Sequence, residues 1–257
     1  MIEKTLKGKV NIYMGFETDI DSLPDSTEEF FELITYSIKE WINNKIEVVW
    51  LTIPEKKSFL IQTALSEGFT FHHTEKEKLV LVRKMHPEAF VVPYATHYIG
   101  TGGIVIDQNN RILVVRENYG NKAAVHYKLP GGTVEENEHI KDCVIREVFE
   151  ETGIKTEFVS LICFRHKHDY RFGKSDIYFL CLLKPISIDI IVKSEEIAES
   201  LWMDLDTYLS HKNVHALNKE IVRAALTKKV LLNKDIEGYE VDKSIFEIYL
   251  PCQNSAD

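Results

Sequence analysis

The sequence predicts a protein of the α/β class, with an α+β second part, that is divided into two domains. Its 257 residues exceed the roughly 100–200 residues of one ordinary domain. Strand-like apolar runs alternate with helical patterns over the first 90 residues, whereas strand-like runs dominate from about Tyr94 onwards. We therefore predict a small α/β domain at 1–90 and a second domain at 94–257, joined by a linker at 86–93 that contains two prolines.

Capping residues and apolar spacing define the first domain. Ser26 is the expected N-cap of a helix whose apolar side chains recur at helical spacing from Phe30 to Ile42. Pro54 is expected to open a second helix, which Gly68 ends. In chain order, the predicted elements are a β-type stretch at 10–16, a helix from 26 to about 42, a strand at 46–52, a helix at 54–67, and a hairpin of strands at 69–73 and 78–83.

The second domain is predicted to place one strongly charged helix among mostly antiparallel strands. Its first two strands are joined by the turn at 108–110, and Gly153 follows the charged helix as a C-terminal cap residue does. The predicted elements are strands at 102–107, 112–116, 158–164 and 177–183, and helices at 138–152 and 215–226.

Composition and charge exclude several classes of protein. Apolar residues make up 44% of the chain and charged residues 28%, which is typical of a folded globular protein. The net charge of −9 lacks the basic field that duplex DNA or an anionic membrane requires, and no 18-residue apolar run spans a bilayer. The start has no secretory signal pattern, and the four cysteines form no C-x-x-C pair, so we expect a protein of the reducing cytoplasm.

Three carboxylates on one turn of the charged helix suggest a metal site. Glu147, Glu150 and Glu151 stand at i, i+3 and i+4, where like charges repel. Hard oxygen ligands clustered in this way suit Mg²⁺ or Mn²⁺, which would remove the repulsion. The alternative interpretation is a solvated acidic helix face. The preceding Gly131-Gly132 pair, which permits close backbone approach, and the adjacent Arg146, which offers a forked hydrogen bond to a carboxylate, favour the metal site.

The same segment resembles a known family. Residues 132–154 fit the Nudix box, G-x5-E-x7-R-E-U-x-E-E-x-G-U, at every defined position, with Phe149 at the free position between U and the glutamate pair. The chain is therefore identified as a member of the Nudix hydrolase superfamily. The resemblance implies an α/β/α sandwich with a mixed central sheet. It also implies hydrolysis of a nucleoside diphosphate linked to another moiety.

The resemblance assigns roles to individual residues. It implies that Glu147, Glu150 and Glu151 hold the metal ion, completed by a carbonyl beside Gly131, and that Arg146 and Glu138 brace these ligands. Metal ions that neutralise phosphate charge and activate water agree with this chemistry. The proton acceptor is left open among four glutamates, which are Glu150, Glu151, Glu195 and Glu196.

Further landmarks resemble one subfamily over about 93–208. They include YATH at 94–97, LVVRE at 113–117 and FGKSD at 172–176. This subfamily contains the growth-factor-antisense Nudix protein and plant cytosolic ADP-ribose and NADH pyrophosphatases, and its acetyltransferase-like pre-Nudix domain resembles residues 1–90. The resemblance implies ADP-ribose and NADH as substrates and a homodimer. Hydrolysis of RNA caps, coenzyme A or dinucleoside polyphosphates, and a non-catalytic nucleotide-binding regulator, are the alternatives.

Other residues are candidates for substrate binding. Arg116 and Arg165 lie near strand ends, where a guanidinium suits a phosphate. Tyr127 stands where many relatives carry tryptophan, and His166 and Lys174 belong to a loop that we expect to face the substrate. The alternation of His166 and His168 on a strand also has the geometry of a metal pair, but the sequence offers no third ligand at suitable spacing.

Overall fold

The computed structural model describes residues 5–118, 126–192, 195–227, 229–236 and 242–251. The chain forms two compact units, residues 1–96 and residues 97–257. Within the described ranges, no helix is both long enough and apolar enough to cross a membrane. Cys143, Cys163 and Cys181 are free thiols, and the fourth cysteine, Cys252, lies outside the described residues.

A five-stranded sheet with helices packed against it forms the first unit. The strand order is β1-β2-β3-β5-β4, in which β2 and β3 are parallel and the other neighbours antiparallel. Phe30, Ile34 and Trp41 of the long helix pack with Val49 and Leu51 to form the core. The elements are β1 (Gly8–Val10), β2 (Gly15–Thr18), α1 (Thr27–Asn43), β3 (Val48–Pro54), α2 (Ile61–Ser66), β4 (Thr70–Glu75) and β5 (Lys78–Lys84), with 3₁₀ turns at Ile20–Ser22 and Glu55–Leu60.

The capping prediction for α1 is confirmed, whereas the predicted start of the second helix is wrong. Ser26 Oγ accepts a hydrogen bond from the Glu29 N–H at 3.1 Å. Pro54 is the last residue of β3, where it pairs with Lys78, and its backbone is extended. A 3₁₀ turn follows Pro54, so the α-helix begins only at Ile61.

The second unit has a six-stranded sheet in the order β13-β12-β9-β10-β6-β8 and a separate pair, β7 and β11. In the larger sheet β6 runs parallel to β10, and the other neighbouring strands are antiparallel. The elements are β6 (His97–Val105), β7 (Arg111–Glu117), β8 (Gly131–Thr133), α3 (Ile140–Thr152), β9 (Thr156–Lys167), β10 (Ser175–Pro185), β11 (Ile197–Asp204), α4 (Leu205–Ser210), α5 (Ala216–Leu226), β12 (Leu231–Asn233) and β13 (Tyr249–Pro251).

Alternating side chains of β6 and β10 enter two hydrophobic cores. Val105 and Cys181 pack with Val148 of α3, whereas the neighbouring residues Ile104 and Leu180 pack in a second core with Val222 of α5. Because successive strand side chains point to opposite faces, the sheet is covered by a helix on each side. This is the α/β/α sandwich with a mixed sheet that the sequence predicted.

The four strands predicted for this unit are present, and one helix boundary needs correction. The strands predicted at 102–107 and 112–116 correspond to β6 and β7, which lie in different sheets and are bridged between Ile106 and Ile112. Residues 112–115 of β7 are fully buried, and the strand pairs with β11. The charged helix begins at Ile140 rather than 138, which leaves Glu138 outside the helix.

Candidate active site

Helix α3 positions the glutamate cluster, which comprises Glu147, Glu150 and Glu151. Burial of Val144 and Val148 fixes the face that the helix presents to the sheet. Gly153 ends the helix in the left-handed conformation, with φ of +74°, and its N–H donates to the Phe149 carbonyl at 2.7 Å. The rotation of the helix is therefore set by packing, which places Glu147 and Glu151 against the glycines of β8.

Arg146 connects the glutamates through a network of hydrogen bonds. Its Nε and Nη2 donate to the two carboxylate oxygens of Glu138 at 2.7 and 2.8 Å. Its Nη1 donates to Glu147 Oε1 at 2.8 Å and to Glu150 Oε2 at 3.1 Å. The bonds from Arg146 lower the pKa of Glu138, despite the opposing effect of its partial burial. Arg146 thus fixes three carboxylates and balances part of their charge.

The glycine pair brings the backbone against this network. Gly131 has a φ of +151°, and a Cβ atom there would lie 2.1 Å from the Thr101 carbonyl oxygen. Its N–H donates to Glu151 Oε2 at 2.8 Å. A Cβ atom on Gly132 would lie 2.5 Å from the Glu147 carboxylate. Gly131 therefore needs to be glycine because its conformation and the Thr101 backbone leave no space for a Cβ atom, and a side chain at position 132 would displace the Glu147 carboxylate.

Burial and mutual repulsion disfavour the charged forms of two glutamates. Burial raises the pKa of Glu151 to about 7, helped by the nearby charges of Glu147 and Glu117 and opposed by Lys128 and the Gly131 N–H. Burial also raises the pKa of Glu147. The Lys128 ammonium pairs with Glu117 and lies 3.9 Å from Glu151 Oε1. The site therefore holds more negative charge than its own cations neutralise.

A cavity of about 500 Å³ opens above these groups. Its size lies within the range of small-molecule sites in proteins. Acidic, basic and aromatic side chains share its lining. The lining includes Tyr98, Glu117, Lys128, Gly131, Gly132, Glu147, Glu150, Glu151, Tyr170, Arg171, Asp176, Tyr178 and Glu196.

The donor chemistry of the glutamate cluster fits a hard divalent cation. Carboxylate oxygens are the ligands that Mg²⁺ and Mn²⁺ prefer, and the surplus negative charge favours a cation. Over the described part of the chain, no three His, Cys, Asp or Glu side chains form an assembled metal centre. The hydrogen bonds from Arg146 and from the Gly131 N–H occupy carboxylate oxygens of the cluster.

The structure brings together the residues that were predicted as catalytic or metal-binding. Glu147, Glu150, Glu151, Gly131 and Glu196 line the cavity. Arg146 lies beside them as the centre of the hydrogen-bond network. Their catalytic and metal-binding roles remain predictions.

Three of the residues that were predicted to bind substrate, Arg116, Tyr127 and Arg165, contact other protein groups. Arg116 Nε and the Tyr127 hydroxyl both donate to Glu199, at 3.2 and 3.3 Å. Arg165 pairs with the buried carboxylate of Asp176, and its guanidinium lies 5.2 Å from the Tyr178 ring centre.

His166 and Lys174 also lie beside other groups. His166 Nε2 is 2.9 Å from His97 Nε2, and Lys174 ends the 3₁₀ turn at Arg171–Gly173. Among the described residues that line the cavity, none of the five predicted binding residues is present. Their binding roles remain predictions without support from this geometry.

The structure adds lining residues that the sequence did not single out as site residues. Lys128 lies three residues before Gly131. This closeness to the glycine pair is the one sequence feature that could have identified Lys128 as a site residue. Tyr98, Tyr178 and Asp176 come from neighbouring strands, and Tyr170 from the turn before β10. They meet only through the pairing of β6 with β10, which no sequence motif records.

Sequence comparisons place these features in a family. A NUDIX domain model matches residues 96–225, and a Nudix hydrolase domain model matches residues 6–85. Nudix hydrolase 2 of Arabidopsis thaliana is 38% identical over 230 residues, which make up 88% of this chain and 82% of that protein. The chain belongs to the Nudix hydrolase family. Nudix hydrolases are pyrophosphohydrolases that generally use a divalent metal ion and act on nucleotides.

Two other Nudix relatives are matched over a smaller share of their length. Nudix hydrolase 8 of Arabidopsis thaliana is 37% identical over 200 residues, 77% of this chain and 54% of that protein. Nucleoside diphosphate-linked moiety X motif 6 of Homo sapiens is 39% identical over 194 residues, 74% of this chain and 61% of that protein. The chain therefore spans less than two thirds of either relative.

Proposed function

We propose that this Nudix hydrolase cleaves the diphosphate of ADP-ribose and NADH, with Mg²⁺ or Mn²⁺, to give AMP and the other phosphorylated half. One observation carries the proposal. The glutamate cluster, its Arg146 brace and the Gly131-Gly132 pair of β8 meet at a single cavity that also contains basic and aromatic side chains. This combination suits a ligand with a charged diphosphate and an attached ring.

Glu147, Glu150 and Glu151 are the residues that would hold the divalent cation. When bound, the cation supplies positive charge for the diphosphate and lowers the pKa of water at the site. Arg146 keeps the Glu147 and Glu150 carboxylates oriented, and the Gly131 N–H orients Glu151. The chain therefore contributes a preorganised set of oxygens rather than a nucleophile of its own.

Other lining residues act on the substrate and on the proton. Lys128 supplies positive charge to the lining and suits the diphosphate oxygens. Hydrolysis adds the water oxygen to one phosphorus, breaks the bridging P–O bond and releases a proton. Glu150, Glu151 and Glu196 are the lining carboxylates from our sequence candidates that can accept this proton, whereas the fourth candidate, Glu195, is not among the described lining residues.

The choice of ADP-ribose and NADH rests on relatives. Residues 93–208 resemble plant cytosolic pyrophosphatases for these compounds, and the name of the human relative specifies nucleoside diphosphates linked to a moiety X. A cytoplasmic location is part of the proposal, supported by the free thiols of Cys143, Cys163 and Cys181. A homodimer remains an expectation that a mass measurement in solution tests.

Turnover of a substrate panel tests the proposal. The panel contains ADP-ribose, NADH, coenzyme A, diadenosine polyphosphates and NAD-capped RNA, each with Mg²⁺, with Mn²⁺ and with a chelator. We expect AMP to form from ADP-ribose and NADH in the presence of metal and to disappear in Glu150→Gln. Preferred cleavage of another panel member would replace the substrate assignment. A wild-type protein that binds these compounds without cleaving them would instead indicate a regulator.

A further inference from the structure

One part of the cavity lining has no role in the chemistry described above. Tyr98 of β6 and Tyr170 of the turn before β10 lie with ring centres 5.9 Å apart and planes at 71°. The Arg171 guanidinium lies 5.4 Å from the centre of the Tyr170 ring. We call Tyr98, Tyr170 and Arg171 the tyrosine–arginine cluster.

This cluster is not explained by packing. Both tyrosines are only partly buried, and Arg171 is exposed. The two hydrophobic cores of the second unit, as far as the structure describes them, include neither Tyr98 nor Tyr170. Aromatic side chains that line a cavity outside the core retain ring surface for a ligand, and a guanidinium stacks on flat rings.

The turn at 168–174 holds the cluster in place. The Tyr170 N–H donates to the Lys174 carbonyl at 2.9 Å, and the Lys174 N–H donates to the Arg171 carbonyl at 3.1 Å. Asp169 and Phe172 adopt the left-handed conformation, with φ of 55° and 53°, which non-glycine residues rarely adopt. The hydrogen bonds thus fix a constrained backbone that directs Tyr170 and Arg171 to the cavity.

We propose that the tyrosine–arginine cluster binds the aromatic ring of the substrate by stacking while the glutamate cluster acts on the diphosphate. The inference rests on the proposed function, from which the ligand class is taken. Bases stack on tyrosine and on guanidinium with little regard to their hydrogen-bonding edges. The ring is either the adenine of the AMP half or the nicotinamide of the other half.

Binding measurements without turnover test this inference. AMP, nicotinamide mononucleotide and ribose 5-phosphate are titrated calorimetrically, with Mg²⁺, into the full-length wild type, Tyr170→Ala and Tyr170→Phe. We expect Tyr170→Ala to weaken AMP or nicotinamide mononucleotide about tenfold, which is the low end of measured stacking effects. Ribose 5-phosphate has no ring, so its affinity is expected to be unchanged. Tyr170→Phe retains the ring and is expected to bind as the wild type does.

Phe172→Ala is the matched control because Phe172 lies in the same turn, is 88% exposed and is absent from the described cavity lining. It is expected to leave all three affinities unchanged, and circular dichroism verifies that each variant folds. A loss confined to AMP assigns adenine to the cluster, and a loss confined to nicotinamide mononucleotide assigns nicotinamide.

Three results would overturn the inference. They are equal losses for ribose 5-phosphate, unchanged affinities in Tyr170→Ala, and no binding of either ring compound to the wild type. Because no cleavage is measured, ring-dependent binding would stand even if hydrolysis of ADP-ribose and NADH were not observed.

Discussion

The glutamate cluster and the tyrosine–arginine cluster of the cavity are built in opposite ways. The glutamate cluster comes from one turn of α3 and is fixed by Arg146 and the Gly131 N–H. The tyrosine–arginine cluster is assembled from β6 and from the turn at 168–174, far apart in the chain. The residues that we propose act on the diphosphate are therefore encoded locally, whereas those that we propose bind the ring of the substrate are brought together by the tertiary fold.

Replacing a metal-binding candidate is expected to have the largest effect. Glu150→Gln removes a negative charge from the cluster while keeping the side-chain shape, and we expect kcat to fall by a factor of about 10² to 10³. Steady-state kinetics with ADP-ribose measures this change. Glu136→Gln, an exposed position just before the helix, is the control and is expected to retain full activity. Equal losses in both variants would contradict the assigned role of the cluster.

The Gly131-Gly132 pair of β8 links the glutamate cluster to the sheet, and substitution of Gly131 is expected to cost stability. Gly131→Ala places a methyl group against the Thr101 carbonyl in a conformation that alanine rarely adopts. We expect the free energy of unfolding to fall by about 1–3 kcal/mol, measured by urea denaturation. Gly173→Ala is the comparison, because φ is +68° there but no atom lies within 4 Å of the added Cβ. A smaller loss at Gly131 than at Gly173 would refute the close-approach argument.

The tyrosine–arginine cluster is expected to alter binding rather than the chemical step. For the substrate whose ring the cluster binds, Tyr170→Ala should raise KM about tenfold, which is equivalent to roughly 1.4 kcal/mol. The same substitution should leave kcat within about twofold of the wild type. This would be the reverse of the Glu150→Gln result and would sharpen the division between the two clusters. A fall in kcat with unchanged KM would place Tyr170 in the chemical step.

The smallest effect concerns a carboxylate outside both clusters. Burial opposes the charged form of Asp107, but hydrogen bonds from Arg111 and Asn109 outweigh it and lower the Asp107 pKa below 3.8. The charged form therefore stabilises the fold above about pH 4, and this contribution is lost as the pH falls through the lowered pKa. We expect Asp107→Asn to cost about 1 kcal/mol at pH 7, since the Arg111 side chain is 37% exposed. Denaturation curves from pH 2 to 7 should show the difference vanish in acid, and a constant difference would contradict this origin.

The sequence predicts well what neighbouring residues determine. The Ser26 cap and the family follow from short-range patterns. It predicts poorly what depends on pairing between distant segments. Arg116 and Tyr127 looked suited to phosphate and substrate contact, but the pairing of β7 with β11 brings Arg116 to Glu199, and the Tyr127 hydroxyl donates to the same carboxylate. The same kind of long-range pairing creates the tyrosine–arginine cluster.

The proposed division of the cavity into a diphosphate site at the glutamate cluster and a ring site at the tyrosine–arginine cluster can be tested most directly by a crystal structure. The crystals would contain Mn²⁺ and a methylene-bridged analogue of ADP-ribose that resists cleavage. Anomalous scattering locates the manganese independently of the refined coordinates. We expect Mn²⁺ bound to carboxylates of Glu147, Glu150 or Glu151, with the diphosphate beside them. Adenine, the only aromatic ring of this analogue, would lie against Tyr170 if the tyrosine–arginine cluster binds the AMP half. Manganese bound away from α3, or a diphosphate outside the cavity lined by Lys128 and Gly131, would contradict the account.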